Sequence, residues 1–386
     1  MEGGISAVPG VRAWGLRERK YGVALIACSG RAAGVFTTNK IRAAPLELNA
    51  KNLGGGWLDG VIANSGCANA YTGERGLEDA AKMAGILASL LGTDRSRIGV
   101  ASTGVIGRYL DLGLLERLAR EAFPRMESSP RASVEATRAI MTTDTVVKET
   151  AVEHRGFRIG GICKGAGMIA PHMATMLAFL YTDADLSRED LQDCLQEAVE
   201  DSFNMLIVDG DTSTNDMALI TATGKVPARK EDFLEALKHV CTDLARKMAR
   251  DGEGATRYME VLVRGARNEE DARMAARAVA GSSLVKTAVY GADPNWGRIV
   301  AAAGRSGAEV APERINLEIS NPGEGGSVSL VEKGKIVDGV LGRAQEIMKG
   351  QSILIDLDLG LGSGRARSFG CDLTHGYVDI NANYTT

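Results

Sequence analysis

The sequence predicts an α/β (α+β) protein of layered, mixed sheets, and three observations carry the prediction. Short apolar runs bounded by Gly and Asn, such as "YGVALIAC" (Tyr21–Cys28) and "LDGVIAN" (Leu58–Asn64), read as buried strands. Between such runs lie stretches whose apolar residues recur at three- and four-residue steps, the spacing of helices with one buried face. Aromatic residues make up only 5% of the chain while glycines number 47, which suits Ala, Val, Leu and Ile layers joined by tight turns. Strands and helices alternate without a strict βαβ rhythm, so a layered sandwich is expected. At 386 residues the chain exceeds the usual size of one core, and about two domains are expected.

Taken in order, Leu77, Ala80, Ala81, Ala84, Leu87, Ala88 and Leu91 form the stripe of a helix over 74–91, which Gly92 ends. "RIGVASTGVIG" (Arg97–Gly107) is a strand that breaks at Thr103-Gly104, followed by a charged helix over 112–122. After Thr175 comes the apolar strand "MLAFLY"; Ser187 then caps a helix, with Asp190 three residues on. A long helix covers 230–250, with Leu234, Leu237, Cys241, Leu244, Ala245 and Met248 as its stripe. "YMEVLVRGA" is a strand and 269–280 a helix. The remainder reads as strands: "RINLEI", "GSVSLV", "SILIDLDL" and finally "YVDINANY". "DLGLGSG" (Asp358–Gly364) lacks GxGxxG spacing and no helix follows it, so it is read as a hairpin turn.

Charge and cysteine usage exclude several classes. The formal net charge is −4 and no Lys/Arg block of nucleic-acid type occurs, so a polyanion partner is not expected. Six scattered cysteines, with no CxxC pair or metal-finger spacing, read as reduced thiols of a cytoplasmic protein. The N-terminus lacks a basic region followed by an apolar one, and no apolar run approaches the roughly 20 residues that span a bilayer. No signal peptide and no membrane association are expected.

The chemistry centres on "KGAGMIAPHMATMLAFLYTDA" (Lys164–Ala184), where a Gly-rich approach gives way to a buried strand at Thr175. A threonine hydroxyl is a weak nucleophile until a base removes its proton, and its own α-amine is one compact base. That amine has a reference pKa of about 7.7–8.0, against about 10.4 for lysine. Thr175 gains such an amine only if the Ala174–Thr175 bond is cut. Its hydroxyl can attack the preceding carbonyl to give an ester that water hydrolyses; small Ala174 leaves that carbonyl accessible and Pro171 stiffens the approach. The bland alternative is a β-branched residue starting a strand.

Other segments offer partners, each with a plainer reading. "ASTGVIGR" (Ala101–Arg108) ends in Thr-Gly, where N–H groups and a hydroxyl suit an oxyanion, or simply make a turn. "NSGCANAYTGERG" (Asn64–Gly76) crowds small polar residues before a helix N-terminus, a place for a carboxylate or merely a loop and cap. "VDGDTSTNDM" holds Asp209, Asp211 and Asp216, an acidic metal site or a hydrogen-bonded turn. "ADPNWGRIV" puts Trp296 and Arg298 in a tight turn, and "KMARDGEGATRY" carries Glu253 just past a helix end.

In this order, "NSGCANA", "STGVIG", "MTTDT", "KGAGMIAPHMATMLAF", "SFNMLIVDGDTSTND", "DGEGATR", "DPNWGRI" and "GYVDINANYTT" closely resemble the ornithine acetyltransferase (glutamate N-acetyltransferase) family of arginine biosynthesis. They run from Asn64 to Thr386 without a large gap. Departures are small: "NAY" where Ala-Cys is expected after Asn69, and "INANYTT" where many relatives carry charge before the last Thr.

The resemblance implies an αββα sandwich of the type shared with self-processing aminopeptidases, similar to N-terminal-nucleophile hydrolases, with a smaller C-terminal α/β region. It implies a cut after Ala174, giving chains Met1–Ala174 and Thr175–Thr386 that stay together as α2β2. It implies Thr175 as nucleophile, Thr103 and Gly104 as oxyanion hole, and Lys164, Glu253, Asn381, Thr386 and a threonine of "MTTDT" (Thr142 or Thr143) as substrate contacts. The implied reaction is acetyl transfer from N2-acetyl-L-ornithine to L-glutamate, with no metal or organic cofactor; acetyl-CoA as co-substrate is left open. Lys164 suits the carboxylate that both amino acids share, and Glu253 suits the side-chain ammonium of ornithine. Two rivals stand beside this reading. One is an N-terminal-threonine amidase or aminopeptidase of the same fold. The other is a metal-dependent phosphotransfer or binding protein built on Asp209, Asp211 and Asp216.

Overall fold

The computed structural model describes residues 1–170, 176–323 and 325–383. Its strands, in chain order, are β1 (Arg12–Glu18), β2 (Tyr21–Phe36), β3 (Trp57–Ser65), β4 (Ile98–Ser102), β5 (Lys148–His154), β6 (Phe157–Lys164), β7 (Leu177–Asp185), β8 (Leu206–Ile207) and β9 (Met217–Pro227). They continue with β10 (Tyr258–Ala266), β11 (Asn316–Ser320), β12 (Ser327–Glu332), β13 (Lys335–Ile336), β14 (Ser352–Asp358) and β15 (Gly364–Cys371). Two mixed sheets result. The first runs β4-β3-β2-β9-β7-β6-β5 with β1 also paired to β2, and the second runs β13-β12-β11-β14-β10-β15-β8.

The first sheet turns back on itself at β2. The first half of this long strand pairs β1 and its second half pairs β9, with a register shift against β3 between Ala27 and Gly30. As a result Gly99 of β4 lies against Leu219 of β9, although two strands separate them in the sheet order. Strand β7 shows how the pleat sorts side chains between layers. Leu177, Phe179 and Tyr181 share one apolar cluster with Val23, Leu25, Val61 and Val100 and with the helices Gly73–Leu91 and Leu112–Ala122. Ala178 and Leu180 instead join the cluster of the helices Arg188–Glu200 and Lys230–Arg250. Strands buried on both faces read as continuous apolar runs, which is why "MLAFLY" carries no polar alternation. The expected sequence of helix, sheet, sheet and helix follows. The second sheet, with the helix Glu269–Ala280 on β10 and β15, forms the expected further α/β region.

The strongly periodic helices lie where their stripes and caps place them. Gly92 ends Gly73–Leu91 in the left-handed region at φ 70°, and the Ser187 hydroxyl accepts from Asp190 N–H at 3.0 Å. Two C-terminal expectations are corrected. Residues His375–Asn383 form a helix, not a strand. A short Val/Ile run cannot be assigned by periodicity alone; here its start packs on Gly254, where the Gly376 and Tyr377 backbone leaves no room for a Cβ. Nor is 359–363 a hairpin turn, since β10 lies between β14 and β15. The connection wraps the end of β10, with Leu359 N–H donating to Arg264 O and Leu361 and Gly362 N–H to Gly265 O. Among the described residues, no helix is long and apolar enough to cross a membrane.

The helix Pro130–Ile140 seats directly on the backbone of β1 and β2. A Cβ on Gly22 would overlap the Ala139 carbonyl and stand 2.7 Å from Ser65 Oγ, a hydroxyl that itself donates to Ala139 O at 2.7 Å. Backbone cannot yield as a flexible side chain does. Gly22→Ala is therefore expected to destabilise the fold by about 1–3 kcal/mol, the usual penalty of overpacking, read from denaturant melts.

Candidate active site

One cavity of about 200 Å³ gathers ends of many elements. Thr103 and Gly104, just past β4, line it with Thr142 and Thr143, Lys164 at the end of β6, Met168, Asp209, Asp211, Glu253 past the helix Lys230–Arg250, and Tyr377 and Asn381 on the last helix. The sequence-predicted residues Thr103, Gly104, Thr142, Thr143, Lys164, Glu253 and Asn381 thus meet at one place. Thr175, Ala174 before it and Thr386 lie outside the described residues.

Each group is set by a local constraint. Thr103 N–H is not free for an oxyanion, because it donates to Asn64 O at 3.0 Å. Its hydroxyl and the Gly104 N–H have no hydrogen bond to a described residue. Gly104 takes φ +128°, and a Cβ there would strike Gly66 and Cys67, so glycine is required on both counts. A Cβ on Gly167 would displace the Glu253 carboxylate from its place in the cavity. Asn381 Nδ2 donates to Glu253 Oε2 at 2.8 Å, and Glu253 N–H donates to Ala166 O at 2.8 Å.

Beneath the cavity lies a buried ion group that sequence reasoning did not foresee. Lys148 Nζ donates to Asp144 Oδ1 at 2.6 Å and to Asp251 Oδ2 at 2.5 Å, with these side chains almost wholly shielded from solvent. Asp144 also accepts from Gly165 N–H at 2.6 Å and from Thr142 N–H at 3.0 Å. Burial opposes ionisation of Asp144, but Lys148 and Lys164 outweigh it and hold its carboxyl below the usual range. Burial likewise works against the Lys148 ammonium, and Asp144 and Asp251 reverse it, leaving the group above the usual lysine range. Lys164 is different. Burial lowers its ammonium below the usual range despite the pull of Asp144 and Asp216. Its Nζ stands 3.3 Å from Thr142 Oγ1, which singles out Thr142 of the two threonines as its neighbour.

The acidic run resolves as a turn that grips backbone. Asp209 accepts from Met168 N–H at 2.6 Å and Ile169 N–H at 2.8 Å, while Ile169 O takes the N–H groups of Val208, Asp209 and Gly210. Met168 is held at φ +55°, the left-handed region that a non-glycine residue occupies only under constraint. Burial raises the Asp209 carboxyl, partly offset by these amides. Asp216 accepts Met176 N–H at 2.8 Å. Of the three carboxylates on which the metal reading rested, Asp209 and Asp216 are thus aimed at amides; among the described residues no group of three His, Cys, Asp or Glu is placed to hold a metal. Asn215 Nδ2 ties the same loop to Ala68 O at 2.6 Å and Ser102 O at 2.8 Å.

Two segments fall elsewhere. Of "NSGCANAYTGERG", only Ala68 reaches the cavity; Asn69 bonds Gly76 O and Thr72, so this stretch is a loop and cap. Trp296 opens the helix Trp296–Gly304 and Arg298 donates to Leu284 O, away from the cavity. Conversely Tyr377, Met168 and Asn215 are cavity residues that no local pattern marks.

A family profile described as ArgJ family matches residues 9–386. The chain belongs to the ArgJ family. It is 51% identical to the glutamate N-acetyltransferase of Methanothermobacter thermautotrophicus, covering 100% of this chain and 98% of the relative. It is 49% identical to the arginine biosynthesis bifunctional protein ArgJ of Archaeoglobus fulgidus, over 99% of this chain and 100% of the relative. The crystal structure of the bifunctional protein ArgJ from Bacillus halodurans is similar with a TM-score of 0.50 and 41% identity. That match covers 53% of this chain and 98% of the crystallised one.

Removing Lys148 would leave two carboxylates buried without their cation. Lys148→Met is expected to cost about 3–5 kcal/mol at neutral pH. Asp144 is held below its unfolded value of about 3.9, so its contribution is present above that pH and fades as pH falls through the lower folded value. The gap between variant and wild type, measured by denaturant melts from pH 7 to pH 3, should therefore narrow at the acid end.

Proposed function

We propose that this ArgJ-family chain transfers the acetyl group of N2-acetyl-L-ornithine to the α-amine of L-glutamate through an acetyl ester on Thr175. The observation that carries the reading is the convergence of Thr103, Gly104, Lys164 and Glu253 on one small cavity, lined also by the chain that leads into 171–175. The names borne by the Methanothermobacter and Archaeoglobus relatives support the reaction class.

In this reading the precursor first cuts itself between Ala174 and Thr175, and the pieces Met1–Ala174 and Thr175–Thr386 stay together, as α2β2. The crystallised Bacillus halodurans chain, which 53% of this chain covers almost fully, has about the length of such a second piece. The Thr175 amine takes the hydroxyl proton as Oγ1 bonds to the acetyl carbon. The oxyanion so formed is met by the Thr103 hydroxyl and Gly104 N–H, donors already in place and therefore needing no reorganisation. The carbon–nitrogen bond then breaks, and the ornithine amine leaves with the proton from the Thr175 ammonium. Glutamate attacks the ester in turn, giving N-acetyl-L-glutamate and restoring the hydroxyl.

Both amino acids have the same α-carboxylate, and Lys164 serves it in either half-reaction. Glu253, with Asn381 holding one oxygen, faces the side-chain ammonium of ornithine. Thr386 is assigned to the same substrate pocket. No step calls on a metal or organic cofactor. An assay with acetyl-CoA and glutamate alone decides whether acetyl-CoA is a further donor.

Denaturing electrophoresis of the 40.7 kDa product is expected to show two fragments, the second beginning Thr-Met-Leu. Thr175→Ala should give one intact chain without transfer; a fully active intact chain would defeat the mechanism. Acetyl should pass from acetylornithine to glutamate with little free acetate, whereas release of acetate as the main product would make the protein a hydrolase. Lys164→Met should raise KM for both amino acids, since each loses the partner of its carboxylate.

A further inference from the structure

The substrate and oxyanion groups do not account for Asp216, the first residue before β9. It is 1% exposed, and one of its oxygens takes a main-chain amide. Oδ1 accepts the N–H of Met176 at 2.8 Å, the amide that follows Thr175 in the chain. Oδ2 is buried without a hydrogen-bond partner among the described residues. Its backbone is pinned as well, because Asp216 O takes Thr37 N–H at 3.0 Å and Met217 N–H donates to Met176 O at 3.1 Å. A buried polar atom left unpaired is rare enough in folded proteins to ask for a reason.

We propose that Asp216 is a positioning residue for the acetyl transfer, clamping the Met176 N–H so that the residue before it, Thr175, is held for attack. This rests on the reading of Thr175 as nucleophile. The neutral form matters. A carboxylate bonded to the amide of the next residue in the chain would favour the ammonium form of a Thr175 α-amine and spoil it as a base, whereas an uncharged group favours its reference pKa of about 7.7–8.0. The surroundings favour the neutral form: burial pushes the Asp216 carboxyl well above the usual range, and the Met176 N–H, Lys164 and Ser213 offset this only in part.

Two substitutions separate the clamp from other roles. Asp216→Asn keeps an uncharged acceptor for Met176 N–H, while Asp216→Val fills the same volume without one. Cooperative melting establishes that each is folded; Asp216→Ala replaces the Val variant should that one fail to melt cooperatively. The Asn variant is expected to keep most of kcat, with the acid limb of kcat/KM where the wild type has it. The Val variant should lose about a hundredfold in kcat with KM little changed, the scale of a misplaced nucleophile. An Asn variant as slow as Val, or with a shifted acid limb, would show that the ionised carboxyl matters and overturn the proposal. So would a Val variant with the wild-type kcat. If the wild-type chain neither cleaves nor transfers acetyl, the reading of Thr175 fails; an active wild type beside a dead Asn variant fails the Asp216 proposal alone.

Discussion

The loop 208–217 grips the chain on both sides of 171–175, and the site depends on that grip. On the approach side the Asp209 carboxylate takes two successive amides, Met168 and Ile169, and Ile169 O returns three bonds to the loop. On the far side Asp216 takes Met176. Asn215 extends the same loop to Ser102 and Ala68, beside Thr103 and Gly104. A single short segment therefore sets Thr103, Gly104 and both flanks of the junction in one frame.

Charge is arranged in two tiers. Asp144, Lys148 and Asp251 neutralise one another in the interior and tie the helix Lys230–Arg250 to β5 and to the segment that bears Thr142. Such a group adds little net stability over an apolar core, yet losing one member is severe. Its contribution here is register. With Asp144 engaged by Lys148 and the Gly165 amide, Lys164 has only the Thr142 hydroxyl within hydrogen-bond reach among the described residues, and it lines the cavity. This is the group proposed to meet the substrate carboxylate.

Legibility in the sequence follows the range of the interactions. The helices Leu112–Ala122, Lys230–Arg250 and Glu269–Ala280 lie where their stripes put them, because their signal is local: a buried face and, for the first and last, caps at Asp111 and Asn268. The helix His375–Asn383 was hidden, having no buried residue of its own, and its Tyr377 and Asn381 gain meaning only across the cavity. The fold-over at β2 and the insertion of β10 between β14 and β15 are likewise tertiary. At the site, Thr103, Gly104, Lys164, Glu253 and Asn381 were legible through motifs that resemble a known family. The Asp209 grip and the Lys148 group were not, since their partners lie about 40 and 103 residues apart.

The covalent intermediate is the claim on which the proposed chemistry turns. Intact-mass spectrometry of the protein mixed with N2-acetyl-L-ornithine, with glutamate left out, tests it most directly. The account predicts one added acetyl group on the fragment beginning at Thr175, lost when glutamate is supplied. Transfer to glutamate at full rate, with no acetyl ever found on that fragment under the same rapid quench, would contradict it.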